Sequence, residues 1–181
     1  QAYASFNLAQ HVGDDAEHVR ANRALLRAAA KLPSEPLWLE QVHGIHVVEH
    51  PGPAATVAMQ PRADAAVAFE PGRVCVVMTA DCLPVVFTDR AGTRIGVAHA
   101  GWRGLVGGVL EATVAALQVE TDQLVAWLGP AIGSAAFEVG AEVRDAFVAR
   151  DAANDDAFVR NEAGRFQADL YRLARRALAR V

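Results

Sequence analysis

Cys82 lies in Thr79-Ala80-Asp81-Cys82-Leu83-Pro84, and His99 lies in Ala98-His99-Ala100-Gly101-Trp102-Arg103-Gly104. They stand seventeen residues apart, each at the end of an apolar, strand-like run. A second imidazole, His43, occupies Gln41-Val42-His43-Gly44 at the edge of another apolar run. One thiol and two imidazoles are three soft or borderline donors. That is the number a catalytic zinc site supplies when its fourth position is left for water or substrate. Most free cysteines are small buried hydrophobes, and Cys75, inside Arg73-Val74-Cys75-Val76-Val77, has that setting. Cys82 differs because it interrupts two apolar runs, and strand ends are where rigid scaffolds present functional groups. Asp81 beside it offers a proton acceptor or a general acid/base, and a strand-end cap is an equal reading.

Two histidines compete for the third donor. Residues three apart on an extended strand face opposite ways, so His43 and His46 would not both serve one ion. His43 precedes Gly44 at a strand edge, whereas His46 runs into Val47-Val48 as an ordinary surface histidine. After His99, Gly101 and Gly104 turn the chain into a helix. That turn lets backbone approach a ligand closely, favours anions at the helix start and offers Arg103 as a bidentate partner for phosphate or carboxylate. A structural turn with Arg103 exposed explains the same residues. The spacings of a phosphate-binding or dinucleotide loop are absent, as is a His-Glu-x-x-His helix. No Gly-x-Ser-x-Gly elbow supports a serine hydrolase.

The elements that must position these residues are legible from periodicity. Asp14-Asp15 open a helical stripe through Val19, Leu25, Leu26, Ala29 and Leu32, stopped by Pro33. Residues 36–48 predict a strand pair or one bent strand, and residues 49–63, with three prolines, a loop. Short apolar strands are expected over 65–69, 74–78, 84–88, 94–99 and 124–128, with Asp89-Arg90-Ala91-Gly92 as turn chemistry. Leu105, Val106, Val109, Leu110, Val114 and Leu117 predict one amphipathic helix after Gly104. A helix is expected over 142–150, an exposed loop over 151–165, and a final helix from Leu170 to Val181. Strands and helices mix without strict alternation. The fold class is therefore α/β in a loose, α+β-like sense, a layered mixed sheet flanked by helices.

The chain has 181 residues, 52% of them hydrophobic, which predicts one domain with a sizeable core. A net charge of −4, and aromatics not interleaved with basic clusters, give no case for nucleic acid. No apolar run approaches a membrane span. Two cysteines cannot make a disulfide framework, and no signal segment opens the chain, so a reducing cytoplasm is the expected compartment. The opening Gln1-Ala2-Tyr3-Ala4-Ser5-Phe6 reads as mid-sequence.

Five motifs occur in an order found in one known family. They are Asn7-Leu8-Ala9-Gln10-His11-Val12-Gly13-Asp14-Asp15, Gln41-Val42-His43-Gly44, Thr79-Ala80-Asp81-Cys82-Leu83-Pro84, His99-Ala100-Gly101-Trp102-Arg103-Gly104 and Leu128-Gly129-Pro130-Ala131-Ile132-Gly133. Through them nearly the whole chain resembles the YfiH-type proteins, once labelled multicopper polyphenol oxidases or laccases and now described as purine nucleoside phosphorylases. The resemblance implies a fold like that of cytotoxic necrotizing factor and YfiH. It implies zinc held by His43, Cys82 and His99. It also implies phosphorolysis of adenosine, inosine and guanosine, cleavage of methylthioadenosine, and adenosine deamination. Cys82, His99 and Asp81 are then the expected catalytic groups, and Arg103 and Gln41 the expected contacts to nucleoside and phosphate. Deamination has the clearer chemical route, because a Lewis-acid metal readies water for attack near neutral pH. Against the family pattern the chain is expected to lack a segment before Asn7 and another beyond the last helix. Ser134-Ala135-Ala136-Phe137 also stands where relatives often carry a Cys and a Tyr.

Two rival chemistries use the same residues. Two His and one Cys also form a blue-copper set, with Met78 as an axial candidate. A multicopper oxidase would need about eight further histidines for a trinuclear cluster, and the whole chain has six; copper is the less expected metal. A metal-free cysteine hydrolase would use Cys82 as nucleophile and His99 as base, and would leave His43 without a task. A non-enzymatic zinc protein is disfavoured because structural zinc is usually four-coordinate.

Overall fold

A computed structural model describes residues 5–51 and 60–181. Helix α1 (Ala16–Ala29) begins where the acidic pair predicts. The Asp15 side chain accepts from the backbone N–H groups of Glu17 and His18, a cap that contributes about 1 kcal/mol. Five strands form one sheet: β1 (Val47–Glu49), β2 (Ala65–Ala68), β3 (Leu83–Asp89), β4 (Ile95–Ala100) and β5 (Leu124–Leu128). Their spatial order is β1-β2-β4-β3-β5. Only the β1–β2 pair is parallel, so the sheet is mixed, as expected. Along β3, Leu83, Val85 and Phe87 are fully buried while Val86 faces out, the period-two pattern of a half-covered strand.

Helices α2 (Trp102–Gly107) and α3 (Val109–Leu117) follow β4. A single helix was the expectation here. Gly108 breaks it with φ +106, a conformation that glycine adopts without a Cβ penalty. Arg150 fills the space a Cβ there would take and donates to the Val106 carbonyl. α3 packs over β4 and β2. A smaller sheet has the order β6-β8-β7, from β6 (Glu138–Val139), β7 (Phe158–Arg160) and β8 (Phe166–Ala168). Around it lie α4 (Ala141–Arg150), a short 3-10 helix (Ala152–Ala157) and α5 (Leu170–Leu178). Both sheets contribute to one core. Leu83, Val85, Phe87, Leu105, Leu110 and Leu117 meet Val139, Phe147, Phe158, Leu170 and Leu173 there.

Three other expected elements differ. The 151–165 segment is not a plain exposed loop. Asn154 is buried and donates to the Phe147 carbonyl, and Phe158 enters the core. Its polar texture belongs to Asp155 and Asp156, which pair with Arg144, Arg172 and Arg176. The apolar 74–78 run is not a strand: it makes one isolated bridge, Leu37 with Cys75. The Val74 carbonyl accepts from Leu37 N–H, and at the end of the run Gln41 both donates to the Met78 carbonyl and accepts from its N–H. The expected strand over 37–39 is likewise extended chain, held by that bridge and by one between Glu40 and Arg62. Leu37, Leu39, Ala63, Ala66 and Val97 form a second cluster on the opposite sheet face, with Cys75 and Val77 against it. That cluster fixes the chain leading into residues 41–44. The expected 49–63 loop falls largely outside the described residues. Among the described residues no helix is long and apolar enough to cross a membrane.

Candidate metal centre

Strand register assembles the site. Antiparallel β3 and β4 pair Leu83 with Ala100, which places Cys82, one residue before β3, beside Gly101, one residue after β4. The seventeen-residue spacing is therefore two antiparallel strands and their turn. On the other side of β4, β2 pairs Ala65 with Ala98. Asp64 thereby lies across from His99, whose N–H donates to the Asp64 carbonyl at 2.7 Å. The loop before β1 brings His43 over the same end of the sheet.

The donor atoms of His43, Cys82 and His99 all lie within 4.8 Å of one another. Cys82 Sγ is 3.8 Å from His43 Nε2. The two imidazoles meet edge-on, with centroids 4.7 Å apart and planes at 75°. Donors bonded tetrahedrally at 2.0–2.3 Å from an ion are about 3.3–3.6 Å apart, so this set needs a contraction of about 1.5 Å at most to close on one. His99 is buried, Cys82 half-buried and His43 exposed, which leaves one open side. Among the described residues this is the one group of three or more His, Cys, Asp or Glu donors so placed. A thiol and two imidazoles suit zinc, and they also suit a single copper.

His43 was selected over His46 by its surroundings. His43 has φ +59, in the left-handed region that non-glycine residues seldom occupy. The Asp64 carboxylate, fully buried, accepts from the N–H groups of Val42 (3.2 Å), His43 (2.8 Å) and Gly44 (2.7 Å). It also accepts from His99 Nδ1 at 2.9 Å. His46 gives only its carbonyl, to the N–H groups of Asp64 and Ala65, while its ring stays exposed. Sequence reasoning missed Asp64. The available signal was a carboxylate directly before the small apolar run Ala65-Ala66-Val67-Ala68, where a buried charge demands partners.

The glycines after His99 act by closeness. A Cβ on Gly101 would lie 2.9 Å from both Cys82 Sγ and His43 Cδ2. One on Gly104 would lie 2.9 Å from the Gly44 carbonyl oxygen, and one on Gly107 2.8 Å from Ile45 Cγ2. Spaced by three, they form the flat side of α2 on which residues 43–45 rest.

Electrostatics favour a cation. Burial pushes the Cys82 thiol up, and the carboxylates of Asp81 and Asp64 push it further the same way. Burial pushes His99 down, against the hydrogen bond that it donates to Asp64 and together with the neighbouring His43. The thiol is thus held protonated, and a cation binding at the site would displace its proton to solvent. Cys75 has the bland environment expected of it: burial alone raises its thiol to about 12.

The other expected site residues are placed as follows. Asp81 is exposed next to Cys82, and its carbonyl accepts from Ile132 N–H at 3.0 Å. Arg103 is exposed in the first turn of α2, with its guanidinium carbon 4.4 Å from the Trp102 ring centroid. Gln41, half-buried, uses one N–H and one lone pair on Met78, leaving one of each.

Comparison with known proteins adds the following. The family model described as multi-copper polyphenol oxidoreductase laccase matches residues 1–181. The chain is 54% identical over 180 residues to the purine nucleoside phosphorylase YfiH of Escherichia coli (strain K12), covering 99% of this chain and 72% of that protein. It is 55% identical over 174 residues to a purine nucleoside phosphorylase of Pseudomonas aeruginosa, covering 96% and 69%. A crystal structure of a Neisseria meningitidis protein superposes with a TM-score of 0.91 at 48% identity, covering 99% and 72%.

Proposed function

The chain belongs to the multi-copper polyphenol oxidoreductase laccase family, with YfiH-type relatives that are named purine nucleoside phosphorylases, and on that premise we propose that it is a zinc-dependent purine nucleoside enzyme. The reactions are phosphorolysis of adenosine, inosine, guanosine and methylthioadenosine, together with deamination of adenosine. The observation that carries the reading is the convergence of His43, Cys82 and His99 with one side open. When bound there, zinc supplies a Lewis acid that polarises a substrate oxygen or readies water.

The residues of the chain do the rest. Cys82 gives up its proton to become a ligand. His43 and His99 present ring nitrogens to the same point. In phosphorolysis a phosphate oxygen forms a bond to C1′ of the ribose as the bond from C1′ to the purine nitrogen breaks, leaving purine and ribose 1-phosphate. Arg103 and the backbone after Gly101 hold the phosphate, where a guanidinium can take two oxygens at once. Asp81 carries the proton that the departing purine requires, and Gln41 has one N–H and one lone pair left for the nucleoside. In deamination water adds at C6 of adenine and ammonia leaves, with Asp81 again moving the proton.

The rivals fit the geometry less well. A nucleophilic cysteine needs a lowered pKa, and the surroundings of Cys82 raise it. A trinuclear copper cluster needs a second donor group, and the described residues contain none.

The test is incubation of the protein with adenosine, with and without phosphate, and chromatographic separation of adenine, inosine and hypoxanthine. Adenine with ribose 1-phosphate appearing only with phosphate supports phosphorolysis, and inosine without phosphate supports deamination. Neither product from zinc-loaded protein refutes the proposal. Arg103→Ala should raise KM for phosphate more than KM for nucleoside, and an unchanged phosphate dependence removes Arg103 from the site.

A further inference from the structure

We propose that Asp64 is the positioning residue of this centre: one buried carboxylate sets the tautomer of His99, holds the strained backbone of His43, and supplies the second negative charge that balances a divalent ion. The proposal deepens the metal reading above and rests on it.

Every group facing the Asp64 carboxylate is a donor. Oδ1 accepts from His43 N and from His99 Nδ1, and Oδ2 accepts from Val42 N and Gly44 N. The side chain is fully enclosed, and among the described residues its one ion-pair partner is His99. Asp64 is thus occupied by these four contacts, and it acts through its neighbours.

Three consequences follow. With Nδ1 as donor, His99 carries its proton there, and its Nε2 lone pair is bare. That is the form a metal requires, and the form a carboxylate partner imposes in metal sites generally. The three consecutive N–H groups of Val42, His43 and Gly44 converge as a backbone nest around an anion. The left-handed conformation of His43 persists because the surrounding structure over-determines it. Finally, a divalent cation, the Cys82 thiolate and the Asp64 carboxylate sum to zero charge. Without the cation the buried carboxylate is met only by hydrogen-bond donors, three backbone N–H groups and one imidazole.

Asparagine tests all three because it keeps the shape and loses the all-acceptor character. If its NH2 occupies the Oδ2 place, it faces the Val42 and Gly44 donors and the nest opens. If it occupies the Oδ1 place, His99 must accept at Nδ1, its proton moves to Nε2, and the donor for the metal is lost.

Zinc affinity is measured by chelator competition for wild type, Asp64→Asn and the control Asp89→Asn. Asp89 likewise holds backbone N–H groups, but those of Thr93 and Arg94 in the β3–β4 turn. Asp64→Asn should lose about 10–100-fold in affinity, the usual cost of an outer partner, while circular dichroism reports a folded chain and Asp89→Asn binds as wild type. Nitrogen-detected NMR of the imidazoles in metal-free wild type should show His99 with its proton on Nδ1. A proton on Nε2 overturns the proposal whether or not the Asn variant folds. Unchanged affinity in a folded Asp64→Asn overturns it as well. Wild type that binds no zinc overturns the metal reading instead, and the NMR result still decides whether Asp64 sets His99.

Discussion

Replacing Gly101 by alanine should abolish tight metal binding while leaving the fold intact. Gly101 sits at φ −65 and ψ 161, which alanine adopts without strain. It caps a short helix, and exchanging an N-cap glycine for alanine costs about 1 kcal/mol, well inside the 5–15 kcal/mol typical of a domain. The steric effect falls elsewhere. The new methyl would lie 2.9 Å from Cys82 Sγ and 2.9 Å from His43 Cδ2. Ordinary contact begins at about 3.5 Å, so at least one side chain must retreat by about 0.6 Å. Both are ends of side chains and can move at little cost to the core. Metal–ligand distances, however, tolerate only about 0.2 Å. A displacement three times that size removes a ligand from contact, so affinity should fall by about 100-fold or more, beyond the usual loss of an outer partner. Chelator competition measures the affinity and thermal melting the stability. A folded Gly101→Ala that binds zinc like wild type would refute the reasoning, because the three donors could not then meet where the geometry puts them.

Further outcomes test other parts of the structure. Cys82→Ala should lose stoichiometric zinc by elemental analysis of protein purified without added metal. In wild type, metal binding should weaken about tenfold for each pH unit of acidification below the raised thiol pKa, since each ion displaces one thiol proton; a flat profile between pH 6 and 8 removes Cys82 from the ligand set. The Asp89 carboxyl is held below its usual range, first by the Thr93 hydroxyl and then by the Arg94 N–H. A depressed folded pKa contributes stability above the unfolded value of about 3.9, lost as pH falls through the folded value. The stability gap between wild type and Asp89→Asn in urea should therefore be constant at neutral pH and narrow in acid, and a gap that widens in acid contradicts this. Leu110→Ala, at a fully buried position between α3 and the sheet, should cost about 2–5 kcal/mol in urea unfolding.

The elements that period and punctuation describe were legible without tertiary information. Asp15 marked the start of α1, the turn residues Asp89–Gly92 separated β3 from β4, and the apolar stripe of α5 matched its buried Leu170, Leu173, Ala174 and Ala177. Where local pattern misled, a distant partner was responsible. The 74–78 run is apolar enough for a strand, yet the Gln41 amide takes the backbone groups of Met78. The polar 151–165 segment is ordered by three arginines from α4 and α5.

For the site, the sequence by itself pointed to two candidate donors, Cys82 and His99, and to how they meet. Cys82 and His99 bracket two antiparallel strands, and a tight turn between them leaves little choice of register. The tertiary structure decided the rest. His43, and not His46, joins the pair, because the enclosed Asp64 gathers the backbone of residues 42–44 and the ring of His99 onto one carboxylate. The glycines of α2 make room for that loop at contacts a Cβ would close. Neither effect has a local signature, because each depends on strand register bringing β2, β4 and the 41–45 loop to one end of the sheet. Periodicity reports which face of an element is buried, and only the assembled sheet determines which buried groups touch.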